Sequence, residues 1–108
     1  GFELQQVGIE KYFNKLKCGF NTNDNSNIIG FIKAIEKSIL DIIPEKQGKY
    51  PAYRIEEQLQ NGFIKIFYNT NQNTPTKYTS VKLLLKISGI WTSAKEYGVT
   101  FRFFFIRP

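Results

Sequence analysis

KYTSVKLLLKISGIWTSAKEYGVTFRFFFIRP, residues 77–108, decides the fold. Two runs of strand-forming residues, 80–90 and 99–106, flank a short polar connection carrying Trp91, Tyr97 and Gly98. That is the pattern of a long β-hairpin. In the first run Val81, Leu83, Leu85 and Ile87 share one face, and Lys82, Leu84, Lys86 and Ser88 the other, because strand side chains alternate. In the second, Val99, Phe101, Phe103 and Phe105 alternate with Thr100, Arg102, Phe104 and Ile106. One apolar set is expected to face a core and a mixed cationic–apolar set to face outward. Lys77, Lys82, Lys86, Lys95, Arg102 and Arg107 stand against Glu96 alone, so this segment carries five of the chain's six net positive charges.

Upstream, Asn61-Gly62 is a turn signal. It opens an expected strand over 63–68, FIKIFY, in which Phe63, Lys65 and Phe67 alternate with Ile64, Ile66 and Tyr68. The Asn- and Thr-rich residues 69–76 then read as a loop. The clearest helix spans 26–43. Ile28, Phe31, Ile32, Ile35, Ile39 and Ile42 recur at spacings of three and four, and this stripe is expected to pack on the sheet. Lys33, Glu36 and Lys37 fall on the other side, an ordinary solvated face with Lys33/Glu36 and Lys37/Asp41 pairs. Pro44 ends the helix. Residues 45–60 read as irregular and polar. Residues 2–20 fit both periodicities, with a strand favoured over 11–20, and 21–27 form a polar loop that ends in N-cap residues.

At 108 residues, with 42% hydrophobic and 16% aromatic content, the chain suits one folded domain, 1–108. It has no methionine and opens on Gly1, so it is expected to be excised from a longer chain. A net charge of +6 favours an acidic partner such as nucleic acid. Cys18 is the one cysteine and there is no histidine. This rules out an internal disulfide and a multi-thiolate metal site, and makes a zinc site or any other cofactor unexpected. A lone thiol suits a reducing, intracellular compartment. No run is long enough to span a membrane and no signal peptide is visible.

Enzyme templates do not fit. There is no His-based triad, CxxC, HExxH or glycine-rich phosphate loop. Glu56 and Glu57 are sequence neighbours, which seldom face one substrate. What remains is a basic, aromatic-rich sheet. Single-stranded nucleic acid is held by cations along its phosphates and by aromatic faces that stack on its bases. Lys65, Lys82, Lys86 and Arg102 are the phosphate candidates; Phe67, Trp91 and Tyr97 are the stacking candidates. Each Phe also suits a core, and each cation also suits a solvated sheet face.

The run LLLKISGIWTSAKEYGVTFRF, residues 83–103, resembles the C-terminal strands of OB-fold single-stranded-DNA-binding proteins of large DNA viruses and phages. The matching features are Ile90-Trp91, then Tyr97-Gly98, then a closing strand over 99–105. The stretches FIKAIEKSIL (31–40) and KYPAY (49–53) are similar in order and spacing. The resemblance implies an OB-like barrel with an inserted helix, binding single strands on one sheet face during viral DNA replication. Such proteins often end in an acidic tail, which is not found at residues 107–108.

The expected fold is α+β: a mainly antiparallel sheet of about five strands with one long amphipathic helix. The expected function is non-catalytic binding of single-stranded nucleic acid, DNA favoured, with replication proteins or self-association as further partners and no membrane. The alternative is a protein-interaction or assembly module using the same aromatic face, with strand 63–68 as an edge that accepts a partner strand. An enzyme fragment whose catalytic residues lie elsewhere in a longer chain stays open.

Overall fold

The computed structural model describes residues 1–12, 15–44, 48–66 and 76–106. The chain is α+β, with one six-stranded mixed sheet and two helices. In order it forms β1 (Phe2–Tyr12), β2 (Lys15–Gly19), a 3-10 turn (Asn23–Asn25), α1 (Ser26–Asp41), β3 (Tyr50–Pro51), α2 (Arg54–Gln60), β4 (Phe63–Ile66), β5 (Thr76–Thr92) and β6 (Glu96–Phe105). The strand order is β3-β6-β5-β1-β2-β4. All neighbours are antiparallel except β3 and β6, which run parallel. The expected sheet, mainly antiparallel and of about five strands, is thus a six-stranded mixed sheet with one parallel pair.

The β3 edge is held by the N–H groups of Tyr50 and Ala52 on the Lys95 and Tyr97 carbonyls, at 2.9 and 2.8 Å, and Pro51 between them turns its nitrogen, which has no N–H, to the open edge. β3 and β4 form the two edges of the sheet. The sheet curls until β4 touches β6, with α2 against both. No hydrogen-bonded ladder joins these edges among the described residues.

The C-terminal hairpin is present as β5 and β6, spans 76–105 with longer strands than expected, and its apolar alternation holds: Leu83, Val99 and Phe103 are buried while Lys82, Lys86 and Arg102 are exposed. The stretch 2–20 resolves into two strands. β1 lies between β2 and β5, and Gln6 interrupts it with φ 54°. Across that point the buried set moves from Leu4 to Val7 and Ile9. β2 pairs with β1 only from Gly8 onward, so at Gln5 the buried Asn25 takes the place of a strand. Its Oδ1 accepts the Gln5 N–H at 2.7 Å, and its Nδ2 donates to the Gln5 and Asn21 carbonyls at 3.1 and 2.9 Å. The Gln5 backbone N–H and carbonyl are thereby satisfied on the side where no strand pairs with them.

The helix expected over 26–43 spans 26–41, but its faces differ from expectation. Ile29, Ile32 and Leu40 are buried, whereas Phe31 is 63% and Ile42 78% exposed. The buried arc is centred on Glu36, which is 0% exposed rather than solvated. Its carboxylate reaches the first turn of α2, accepting the Ile55 and Glu56 N–H groups at 3.0 Å each. Those are the donors that an N-cap side chain normally satisfies, and α2 has no such cap of its own. Lys33 accordingly pairs with Glu56 at 3.2 Å, and Lys37 with Asp41 at 3.9 Å.

α2 lies in the stretch read as irregular. Burial of Ile55 and Leu59 drives it, and a seven-residue helix depends on such packing because alone it is too short to persist. Asn61-Gly62 turns the chain as expected, but it ends a helix. Gly62, at φ 81°, donates its N–H to the Leu59 carbonyl at 3.2 Å. A Cβ there would come within 3.1 Å of the Phe20 carbonyl oxygen, whose own N–H bonds the Gly62 carbonyl at 2.8 Å. The strand expected over 63–68 is described as 63–66, and residues 67–68, with the loop through 75, lie outside the described residues.

Candidate functional site

The sheet face turned away from the helices holds Lys82, Lys86, Trp91 and Arg102, and the β5–β6 register organises them. Lys86 lies directly opposite Arg102, and Leu84 opposite Phe104. Lys82 follows on the same face, with its carbonyl accepting the Ile106 N–H at 3.0 Å. Cations and apolar side chains thus alternate down the outer face. Lys82 and Lys86 are about 13 Å apart along the strand. Leu84 and Ile106 are 42% and 40% exposed, and Phe104 is half-buried. Glu3 stands opposite Lys82 on β1, which tempers the charge there and leaves the Lys86/Arg102 step as the most cationic.

Trp91 reaches the same face by way of a bulge. Ile87 pairs with Phe101 but Gly89 pairs with Thr100, so Ser88 is an extra residue. An added residue reverses the alternation beyond it. Trp91 therefore lies opposite Gly98 on the outer face. Its indole rests directly on Gly98, where a Cβ would meet the ring at 2.8 Å. The Arg54 guanidinium sits over the indole, 4.6 Å from the ring centroid, a cation–π contact. A half-buried ring held between these two partners is not the open stacking surface expected of it. Tyr97 departs further: it is 4% exposed, on the helix side of the sheet.

Lys65 is exposed on β4, opposite Lys17 of β2, and Lys17 lies over the Phe63 ring at 4.6 Å. Through the register with β1, this group lies about 23 Å along the strands from Lys82 and three strands away. The fold therefore lines up Lys82, Lys86 and Arg102, places the edge of Trp91 further along the same hairpin, about 26 Å along the strands from Lys82, and sets Lys65 apart with Lys17 on other strands. Phe67 lies outside the described residues. The sequence reading missed Phe104 and Lys17 as site residues. Alternation already turned Phe104 outward, whereas Lys17 needed the pairing of β2 with β4.

Other chemistry is sparse. A hollow of about 750 Å³ opens beside α2 next to Arg54, Glu56, Glu57 and Glu96. Its Glu56 carboxylate is engaged by Lys33, and Glu57 is exposed. Among the described residues no three His, Cys, Asp or Glu side chains come together as a metal site. No helix among them is long and apolar enough to cross a membrane. Cys18 is buried in the core, and burial pushes its thiol pKa up to about 12.

Fold and face together define an α+β protein with a curled mixed sheet and a cationic–apolar ladder on its uncovered side. In comparison with known proteins, the chain matches no family model, no curated protein and no solved structure.

Proposed function

We propose that the chain binds single-stranded nucleic acid on the outer face of β5–β6, without catalysing a reaction. The observation that carries this reading is the Lys86/Arg102 step. Two exposed cations directly opposite one another on neighbouring strands are spaced to meet one phosphate of a single strand. Lys82 extends the track. Leu84 and Phe104 offer apolar and aromatic surface between the cations, the combination that single strands use. Trp91 contributes at the rim, through its edge and the Arg54 charge above it. Lys65 with Lys17 and Phe63 forms a second, separate contact for a longer strand. The preference for DNA over RNA, an OB-like relationship and a role in viral replication rest on the resemblance of residues 83–103 alone.

A second reading draws on the exposed Leu84 and Ile106: the same face docks a protein. Salt separates the two, because phosphate contacts release counterions and apolar contacts do not. The test is fluorescence anisotropy of labelled oligo-dT over a salt series. Three phosphate contacts on a single strand give a log–log slope of about −2, and Lys82→Gln/Lys86→Gln leaves about −0.7. Phe104→Ala weakens binding without changing the slope. Absence of binding at low salt, or binding indifferent to salt and to these variants, overturns the proposal. Trp91→Ala is a poor probe because it removes packing on Gly98 along with any contact to a base.

A further inference from the structure

Trp91 is covered on both faces, and the two covers differ in kind. One is the Gly98 backbone, on which the indole rests so closely that a Cβ would meet it at 2.8 Å. That backbone belongs to the β5–β6 ladder, so it cannot leave without breaking the sheet. The Arg54 guanidinium, 4.6 Å from the ring centroid, therefore lies over the opposite face. Arg54 is exposed and opens α2, and its long side chain can turn without any movement of the backbone.

The place for it to turn lies alongside. The hollow of about 750 Å³ is lined by Arg54 itself and by Glu57 and Glu96, both exposed. A guanidinium turned into it exchanges an aromatic face for carboxylates, which the arginine fork fits. A phosphate is repelled by the same carboxylates.

We propose that Arg54 is a positioning residue that gates a nucleobase seat on Trp91: a base of the bound strand displaces the guanidinium into the hollow and stacks on the indole face so uncovered. This deepens the reading of the β5–β6 outer face as a single-strand site, and rests on it. Contact through the edge of the ring is the closed state; stacking on its face is the open one.

Position and magnitude both favour the exchange. Lys82, the Lys86/Arg102 step and Trp91 follow one another at about 13 Å along β5 once the extra residue Ser88 is discounted, so a strand tracking the cations arrives at the ring. A cation–π contact at an exposed site favours the closed state by a factor of about 2–5. Stacking of one base is worth a factor of about 5–150. A ligand shifts such an equilibrium only through its different affinity for the two states. A base has that difference, and a sugar-phosphate chain without bases does not.

Emission from Trp91, the only tryptophan, reports the seat directly. Oligo-dT is expected to quench it in step with the rise in anisotropy of the labelled strand. An abasic deoxyribose-phosphate oligomer of the same length should bind the cations and leave the emission unchanged. Arg54→Ala should bind oligo-dT about 2–5-fold more tightly, with its salt slope and circular dichroism spectrum unchanged. Arg54→Lys should restore most of the wild-type affinity, because an ammonium also sits on an indole face. Binding of oligo-dT without quenching, equal quenching by the abasic oligomer, or binding by Arg54→Ala no tighter than wild type would each overturn the gated seat and leave the cationic ladder standing. The abasic comparison uses wild-type protein alone, so it decides whatever the variants do to folding. No binding of oligo-dT at low salt would overturn the ladder, and the seat with it.

Discussion

At Glu36 two effects oppose each other on one carboxylate. Burial, with Glu56 and Glu57 nearby, raises its pKa above the usual carboxylate value, while the Ile55 and Glu56 N–H groups favour the charged form. Burial dominates, so the folded state holds the Glu36 proton more tightly than the unfolded chain does. Stability contributed at this site is greatest at acid pH and falls as pH rises from the ordinary carboxylate range through the raised folded value. Glu36→Gln should flatten that decline. It costs less than Glu36→Ala, which leaves both N–H groups unmet and should destabilise by about 2–4 kcal/mol. Urea titrations between pH 4 and 8 decide the matter; equal pH profiles for wild type and Glu36→Gln would refute it. Cys18 offers a second check. With its thiol pushed up to about 12 and buried, it should resist thiol reagents at pH 8 until urea unfolds the chain, and fast labelling of the native protein would contradict the core described here. The environment of Glu36 was not legible locally. In sequence Glu36 sits between two lysines on an apparently polar helix side, and only the arrival of α2 nineteen residues later makes it a cap.

Among the elements, the β5–β6 hairpin shows how a small irregularity reassigns residues. Simple alternation from Val81 through Ile87 would carry Trp91 to the helix side. The Ser88 bulge turns it to the outer face instead, where Gly98 leaves space for its ring. Gly98→Ala therefore lifts the indole off the strand and should cost about 1–3 kcal/mol. A shift of the fluorescence of Trp91, the only tryptophan, to longer wavelength should accompany the lower midpoint of thermal unfolding. An unchanged spectrum and midpoint would show that the ring does not rest there. The Ile-Trp and Tyr-Gly pairs that resemble OB-type proteins thus have a packing role in this hairpin whatever the face binds. α1 illustrates the converse. Its start at Ser26 was legible and its end was read two residues late, at 43 ahead of Pro44, yet apolar residues cover so much of its circumference that periodicity alone did not say which arc meets the sheet.

For the whole molecule, charge is unevenly distributed, with five of six net positive charges in residues 77–108, so a ligand held by the cationic ladder should be lost as salt rises. The sequence by itself determined the α+β class, the long C-terminal hairpin, a helix starting at Ser26 and the outward set Lys82, Lys86 and Arg102. These follow from local repeats of two and of three to four residues, which backbone geometry turns directly into faces. The tertiary structure alone decided the strand order, the parallel β3–β6 edge, the short α2, the burial of Glu36 and Tyr97, and the separation of Lys65 from the other cations. Each of these depends on contacts between residues far apart in the chain, whose free energy comes from burial and from satisfying backbone groups that no local pattern records.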